Sequence, residues 1–249
     1  MHTFVINLPD DFARREAVAN QLRKLGLSYE LFPAIRGESL SSEERKQHYD
    51  ERWFIRNEGR PALAGELGCA LSHIAIYRRM REQSITHALI LEDDAWLNPN
   101  LPQLLQVIAQ RYAPEERNVF LLTWVAELSM RNVDTLWSSY HLGKVKSAVC
   151  THGYVISHAA AEALVEALDP VRHVADCWSW LRRHRIVNIY AVFPTCITAD
   201  LSYESGTTIE LRADRPKRPF SKQVMHTAYR AFWWATDHLV AMIQRIPNI

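Results

Sequence analysis

The stretch Ala88-Leu89-Ile90-Leu91-Glu92-Asp93-Asp94 passes from four apolar residues straight into three acids. A short apolar run of this kind reads as a buried strand, and its C-terminal end lies on the sheet edge where open α/β sheets bind ligands. Three adjacent carboxylates repel one another and raise one another's pKa unless cations or hydrogen-bond donors offset them. A hard divalent cation, Mg²⁺ or Mn²⁺, is the simplest offset, and such ions usually arrive with phosphate oxygens. The stretch therefore predicts a metal–diphosphate site, to be set against the plainer reading of a solvated acidic turn. Because side chains alternate along a strand, Glu92 and Asp94 share a face if the strand continues.

The segments on either side repeat the strand–helix alternation. Residues 3–8 read as a first buried strand, broken by Pro9-Asp10-Asp11. Asp10 or Asp11 caps a helix over 12–25 that places Phe12, Val18, Leu22 and Leu25 near one face, and Gly26 closes it. Residues 29–32 form a short second strand, so the chain opens with a βαβ unit. A variable region over 36–62, with a short helix near 41–50, precedes a stronger helix over 63–81 with Leu67, Leu71, Ile74 and Tyr77 on one stripe. Further helices are predicted over 99–112, 157–168 and 176–183. Further strands are predicted over 119–123, 153–156 and 186–192, and residues 126–147 read as irregular. The pattern is an α/β fold with a mostly parallel central sheet and flanking helices.

Composition narrows the function classes. The chain has 249 residues, 48% hydrophobic and 23% charged, with a formal net charge of +1, so no global field attracts nucleic acid. The cysteines Cys69, Cys150, Cys177 and Cys196 include no Cys-x-x-Cys pair and stand in apolar surroundings, as expected of reduced thiols in a cytoplasmic protein. Asp10, Asp11, Arg14 and Arg15 interrupt the N-terminal stretch too early for a secretory leader. Residues 210–249 differ: seven Lys/Arg (Arg212, Arg215, Lys217, Arg218, Lys222, Arg230, Arg245) stand against three acids. Beyond 221, Met225, Tyr229, Phe232, Leu239, Ile243 and Ile246 make an apolar stripe beside Trp233 and Trp234. A basic, Trp-bearing amphipathic helix is a membrane-surface pattern, although a C-terminal helix docked on the core has the same stripe.

Three blocks carry a more specific signal. They are Phe4-Val5-Ile6-Asn7-Leu8-Pro9 with Arg14-Arg15, Gly65-Glu66-Leu67-Gly68-Cys69-Ala70-Leu71-Ser72-His73, and Leu89 to Asp94. In this order and spacing they resemble glycosyltransferase family 25, the bacterial lipooligosaccharide galactosyltransferase family. Thr151-His152-Gly153-Tyr154-Val155-Ile156-Ser157 and Val174-Ala175-Asp176-Cys177-Trp178 agree with it. The resemblance covers residues 1–210, which are expected to form one catalytic domain of GT-A type, with 211–249 as a separate C-terminal helical segment. It implies an inverting transfer of a hexose, usually galactose from UDP-galactose, onto a sugar of a lipid-linked oligosaccharide. The acidic triplet would then be the metal-binding motif.

Within that reading, Asp94 is the first metal ligand, with Glu92 as second and Asp93 reaching ribose hydroxyls or metal-bound water. Asn7 and Leu8 end the first strand, where a base or ribose contact is expected. Arg14 or Arg15 would pair with the diphosphate or hold the loop. Gly65 and Gly68 would let a ligand approach the backbone at a helix start. Ser72 and His73 follow in that helix, near the nucleotide; His73 also reads as a satisfied core histidine. His152 would contact donor sugar or acceptor. An inverting transfer needs one general base, and Asp176, opening a helix in a Trp-rich stretch, is the choice over Glu127 and Asp200, its other reading being a helix cap. Ser205-Gly206-Thr207 reads as a loop that closes over the donor. The expected ligands are a divalent metal (Mn²⁺ or Mg²⁺), a UDP-sugar and a glycolipid acceptor. Through residues 215–249 the protein is expected to touch the cytoplasmic face of the inner membrane. Two other classes fit acids at a strand end: a Mg²⁺-dependent phosphohydrolase or phosphotransferase, and a non-catalytic nucleotide-sugar-binding module. The first lacks both an Asp-x-Asp-x-Thr nucleophile motif after the first strand and a P-loop.

Overall fold

A computed structural model of the chain describes residues 1–199. The closing loop over 205–207, Asp200 and the amphipathic segment after 210 lie outside the described residues. The strands are β1 (His2–Asn7), β2 (Glu30–Pro33), β3 (His87–Glu92), β4 (Ala95–Leu97), β5 (Asn118–Leu121), β6 (Glu127–Trp137), β7 (Tyr140–Ser147), β8 (Gly153–Ser157), β9 (Asn188–Phe193) and β10 (Ile197–Ala199). The α-helices are α1 (Phe12–Lys24), α2 (Ser42–His48), α3 (Glu51–Glu58), α4 (Ala64–Glu82), α5 (Leu101–Arg111), α6 (His158–Leu168) and α7 (Trp178–Arg183).

Eight strands form one sheet in the order β2-β1-β3-β8-β5-β9-β7-β6, and β4 pairs with β10 in a small second sheet. Six of the eight run in one direction; only β8 and β7 are reversed. The sheet is therefore mostly parallel, as the alternation of elements predicts. Period-2 alternation separates two cores. Phe4, Ile6, Ala88, Ile90, Tyr154 and Ile156 pack on the face covered by α4, α6 and α7. Val5, Leu89, Leu91 and Val155 pack on the face covered by α1 and α5.

The chain leaves β1 for β2 on one side and returns through α4 to β3 on the other. Strands β1 and β3 are parallel neighbours, with Ile6 opposite Glu92. Their C-terminal ends thus flank a topological switch point, the crevice where open α/β sheets hold ligands.

Several local expectations need correction. Phe12 is 61% exposed, and α1 buries Val18, Ala19 and Leu22 instead. The segment over 126–147 is a long hairpin rather than irregular chain. Its strand signal is masked because β6 is largely exposed, so few of its side chains need be apolar, and register shifts break the alternation. Asp176 does not open α7: Cys177 is its N-cap, and the Asp176 carbonyl accepts from Trp178 N at 2.7 Å.

Gly68 serves packing. A Cβ placed there would lie 2.3 Å from the Ile35 carbonyl oxygen and 2.8 Å from Gly37 N. The segment after β2 is pressed against α4 at this point. Ser72 holds the contact, its hydroxyl accepting from Ile35 N at 2.8 Å and donating to the Gly68 carbonyl at 2.7 Å. Backbone cannot yield as a flexible side chain can, so Gly68→Ala is expected to destabilise the protein by about 1–3 kcal/mol or more. Urea denaturation measures it; an unchanged midpoint would contradict the packing.

Candidate active site

The three acids divide their partners as strand geometry dictates. Glu92 is the last residue of β3, and Asp93 and Asp94 turn into β4. Glu92 and Asp94 still share a side. His152, directly before β8, reaches both, with Nδ1 3.0 Å from Asp94 Oδ1 and 3.6 Å from Glu92 Oε2. Asp93 points the other way. It accepts from Asn7 Nδ2 at 2.8 Å and from the Arg14 guanidinium at 3.4 Å. Asp11 caps α1 by accepting from Arg14 N at 3.2 Å, and it also meets the Arg14 side chain at 3.5 Å. Leu8 accepts from Asp11 N in the turn that brings these groups together.

Glu92 has further partners on α4 and the approach to β8. His73 Nε2 lies 3.4 Å from Glu92 Oε1, and the Thr151 hydroxyl donates to the same oxygen. His73 is 2% exposed, and its Nδ1 meets the Tyr154 hydroxyl at 2.8 Å, which in turn meets the Tyr77 hydroxyl at 2.6 Å. A buried polar chain therefore runs from the core to the carboxylate.

These contacts set the charges. Burial works to raise the Glu92 carboxyl, but the bond and charge of His73, the charge of His152 and the Thr151 hydroxyl outweigh it and hold Glu92 well below the usual carboxylate range. Burial raises Asp93, opposed by the Asn7 bond and the Arg14 charge. The bond to Asp94, a bond to Cys150 and the charges of Glu92 and Asp94 push His152 up to about 11, against the effect of burial. With no metal bound, the imidazolium of His152 is the cation that keeps Glu92 and Asp94 together.

Asp176 is tied to the segment just before His152. Its Oδ2 accepts from Cys150 N at 2.9 Å, two residues before His152, and Trp178 Nε1 donates to the Cys150 carbonyl at 2.8 Å. Burial raises the Asp176 carboxyl, its backbone bonds oppose this, and the charges of Glu58 and Glu92 add to the rise. Trp178 is buried edge-on to Tyr154 and presents no open stacking face. Trp180 lies between the rings of His173 and His184, at 4.2 and 4.5 Å.

One ion fits the first group. Ligand atoms of Glu92, Asp94 and His152 all lie within 4.8 Å of one another. Two carboxylates and an imidazole suit Mn²⁺ better than Mg²⁺, which prefers oxygen alone. Of the residues singled out in the sequence, His73, Glu92, Asp94 and His152 form one bonded group, and Asn7, Arg14 and Asp93 form a second on the other side of the strand end. Asp176 joins the first group through Cys150. Ser72 is engaged with the packing at Gly68. Glu127 pairs with Lys146 on the hairpin. Thr151 and Tyr154 are additional members; the signal for them lay in their own block, where Tyr154 falls on the same side of β8 as Ile156.

Residues 1–179 match the family described as glycosyltransferase family 25 (LPS biosynthesis protein). A glycosyltransferase 25 family member of Anopheles gambiae is 28% identical over 252 residues, covering 90% of this chain and 41% of the relative. Procollagen galactosyltransferase 1-B of Xenopus laevis is 31% identical over 249 residues, covering 87% of this chain and 39% of the relative. The chain thus spans about two fifths of the length of these relatives. Among solved structures, a glycosyltransferase involved in glycosylation of the major capsid of PBCV-1 superposes with a TM-score of 0.34 at 15% identity, covering 67% of this chain and 63% of that one.

The raised pKa of His152 has a signed consequence. The stability it contributes is fully present below the unfolded value near 6.5 and is lost as pH rises toward about 11. In EDTA, the wild type is expected to lose stability steadily between pH 7 and 10, and His152→Gln to lose much less. Chemical denaturation across that range measures it. Parallel slopes would refute the pairing of His152 with Glu92 and Asp94.

Proposed function

The chain belongs to glycosyltransferase family 25, and on that premise we propose that it is an inverting, Mn²⁺-dependent galactosyltransferase acting on UDP-galactose. The observation that carries this reading is the trio Glu92, Asp94 and His152, gathered at the switch point between β1 and β3. The name of the Xenopus relative supports galactose as the sugar moved. The family description supports an acceptor sugar on a lipid-linked oligosaccharide. We place the protein at the cytoplasmic face of the inner membrane, held there by the basic segment 215–249.

Glu92, Asp94 and, once its proton has left, His152 would hold the divalent ion. Bound there, such an ion would supply charge neutralisation for a departing diphosphate. The remaining work falls to the chain. Asn7 and Arg14 fix Asp93 at the end of β1, which rigidifies the floor on which nucleoside and ribose rest. Tyr154 and His73 orient Glu92 from below. Asp176 faces the acceptor. Its Oδ2 is held by Cys150 N, leaving Oδ1 to take the proton of the attacking hydroxyl. The acceptor's hydroxyl oxygen bonds to the anomeric carbon as it gives up this proton and the bond to UDP breaks; UDP leaves with the electron pair and the configuration inverts. A carboxyl raised by burial is a better base than an ordinary one.

Two substitutions separate these roles. Asp94→Ala is expected to abolish Mn²⁺-stimulated release of UDP from UDP-galactose while leaving the melting temperature within a few degrees of wild type. Wild-type release would refute the metal assignment. Asp176→Asn is expected to keep UDP binding by calorimetry and to lower kcat of transfer about 10²–10⁴-fold, the usual worth of a general base. An unchanged kcat would remove Asp176 from that role.

A further inference from the structure

A second trio of ligand atoms lies behind the first and shares Glu92 with it; its Cys69 has no part in the reaction derived above. Cys69, His73 and Glu92 place one sulfur, one nitrogen and one oxygen within 4.8 Å of one another. Cys69 and His73 are four residues apart on α4, so both project to one face of the helix, and Glu92 meets them from the end of β3. Tetrahedral bonds of roughly 2.0–2.3 Å to such ligands require them to sit about 3.4–3.7 Å apart. His73 Nε2 and Glu92 Oε1 are already at 3.4 Å.

The surroundings are those of a cation site. Metal-binding histidines commonly use their second ring nitrogen to anchor the ring. Here His73 Nδ1 is fixed by the Tyr154 hydroxyl and that hydroxyl by Tyr77, which leaves Nε2 directed at Glu92. Cys69 is partly accessible, as is Glu92, so the trio is reachable from solvent although His73 is buried. Burial, and then the charges of Glu92, Asp176 and Asp94, hold the Cys69 thiol protonated, against a bond from Thr151. The same negative field attracts a cation.

We propose that Cys69, His73 and Glu92 form a second, thiophilic metal site that takes Zn²⁺, or Co²⁺ in its place, and shares Glu92 with the site of the hard ion. Binding replaces the thiol proton, which passes to solvent, and leaves the fourth tetrahedral position open. Sulfur and imidazole select Zn²⁺ over Mg²⁺ and Mn²⁺, so the two trios discriminate between ions by ligand softness. The proposal does not depend on the assignment of the transfer reaction.

Co²⁺ titration of the full chain tests it, because only sulfur ligation gives the intense near-ultraviolet thiolate-to-Co²⁺ charge-transfer band. Co²⁺ bound at Glu92, Asp94 and His152 does not produce that band. Wild type is expected to develop it at one equivalent and to lose it on adding Zn²⁺. Asp94→Ala is expected to retain the band, whatever becomes of UDP release. Cys69→Ser and Cys69→Ala, each checked for native circular dichroism and melting, are expected to lack it. No band in wild type, or a band that survives in either folded Cys69 variant, would overturn the proposal.

Discussion

Everything at the sheet edge depends on neutralising three consecutive carboxylates. Side by side at the end of a buried strand, Glu92, Asp93 and Asp94 would drive one another toward protonation and open the chain around them. The fold answers by alternation. The strand sends Asp93 toward α1, where Asn7 and Arg14 receive it, and sends Glu92 and Asp94 toward β8, where His152 receives both. Each neutralising group comes from a different element: β1, α1, α4 and the segment before β8. The acids thereby bind the C-terminal ends of β1 and β3 and the start of β8 into one rigid rim. Burial of Phe4, Ile90, Leu91 and Tyr154 directly beneath makes that rim expensive to deform.

The elements that build the rim were legible because each carries a strong local signal. The apolar run into Glu92 has no other economical reading than a buried strand. The stripe of Leu67, Leu71, Ile74 and Tyr77 fixes α4 to within a residue or two of its observed bounds. The expectation that Glu92 and Asp94 share a face, drawn from alternation alone, survives even though the strand turns at Asp93. What was not legible depends on tertiary partners. Gly68 has the same local sequence whether a ligand or the chain's own backbone lies against it. Only the approach of residues 35–37 decides between them. The hairpin of β6 and β7 was hidden because an exposed strand with register shifts has little need of alternating apolar residues.

His73 shows why a core reading and a functional reading of one residue need not compete. It is as buried as Ile74, its neighbour on α4, and its ring packs between Tyr77 and Tyr154. Its polar atoms are nevertheless both committed, one to the Tyr154 hydroxyl and one to Glu92. A buried imidazole usually commits its nitrogens to partners. When the partner lies at the rim, the same bond that satisfies the core also orients the carboxylate. The sequence offered no means of choosing, since only the separation between α4 and β3 brings Nε2 to Glu92 rather than to a backbone carbonyl.

The five residues from Cys150 to Tyr154 connect Asp176 to the acids at the end of β3. Cys150 holds Asp176 through its backbone N–H and Trp178 through its carbonyl. Thr151 and His152 hold Glu92 and Asp94, Gly153 lies against Ile197 with no room for a side chain, and Tyr154 anchors His73. Cys150 has φ +73°, a conformation that a side chain rarely adopts, and its backbone bonds to both Asp176 and Trp178 maintain it. A displacement of this segment moves the Asp176 carboxylate and the charge balance of Glu92 and Asp94 together. Asp176, Glu92 and Asp94 are thus placed by one short piece of chain. That arrangement sets the separation of the Asp176 carboxylate from those of Glu92 and Asp94 through the backbone of residues 150–152, with no hydrogen bond between them among the described residues.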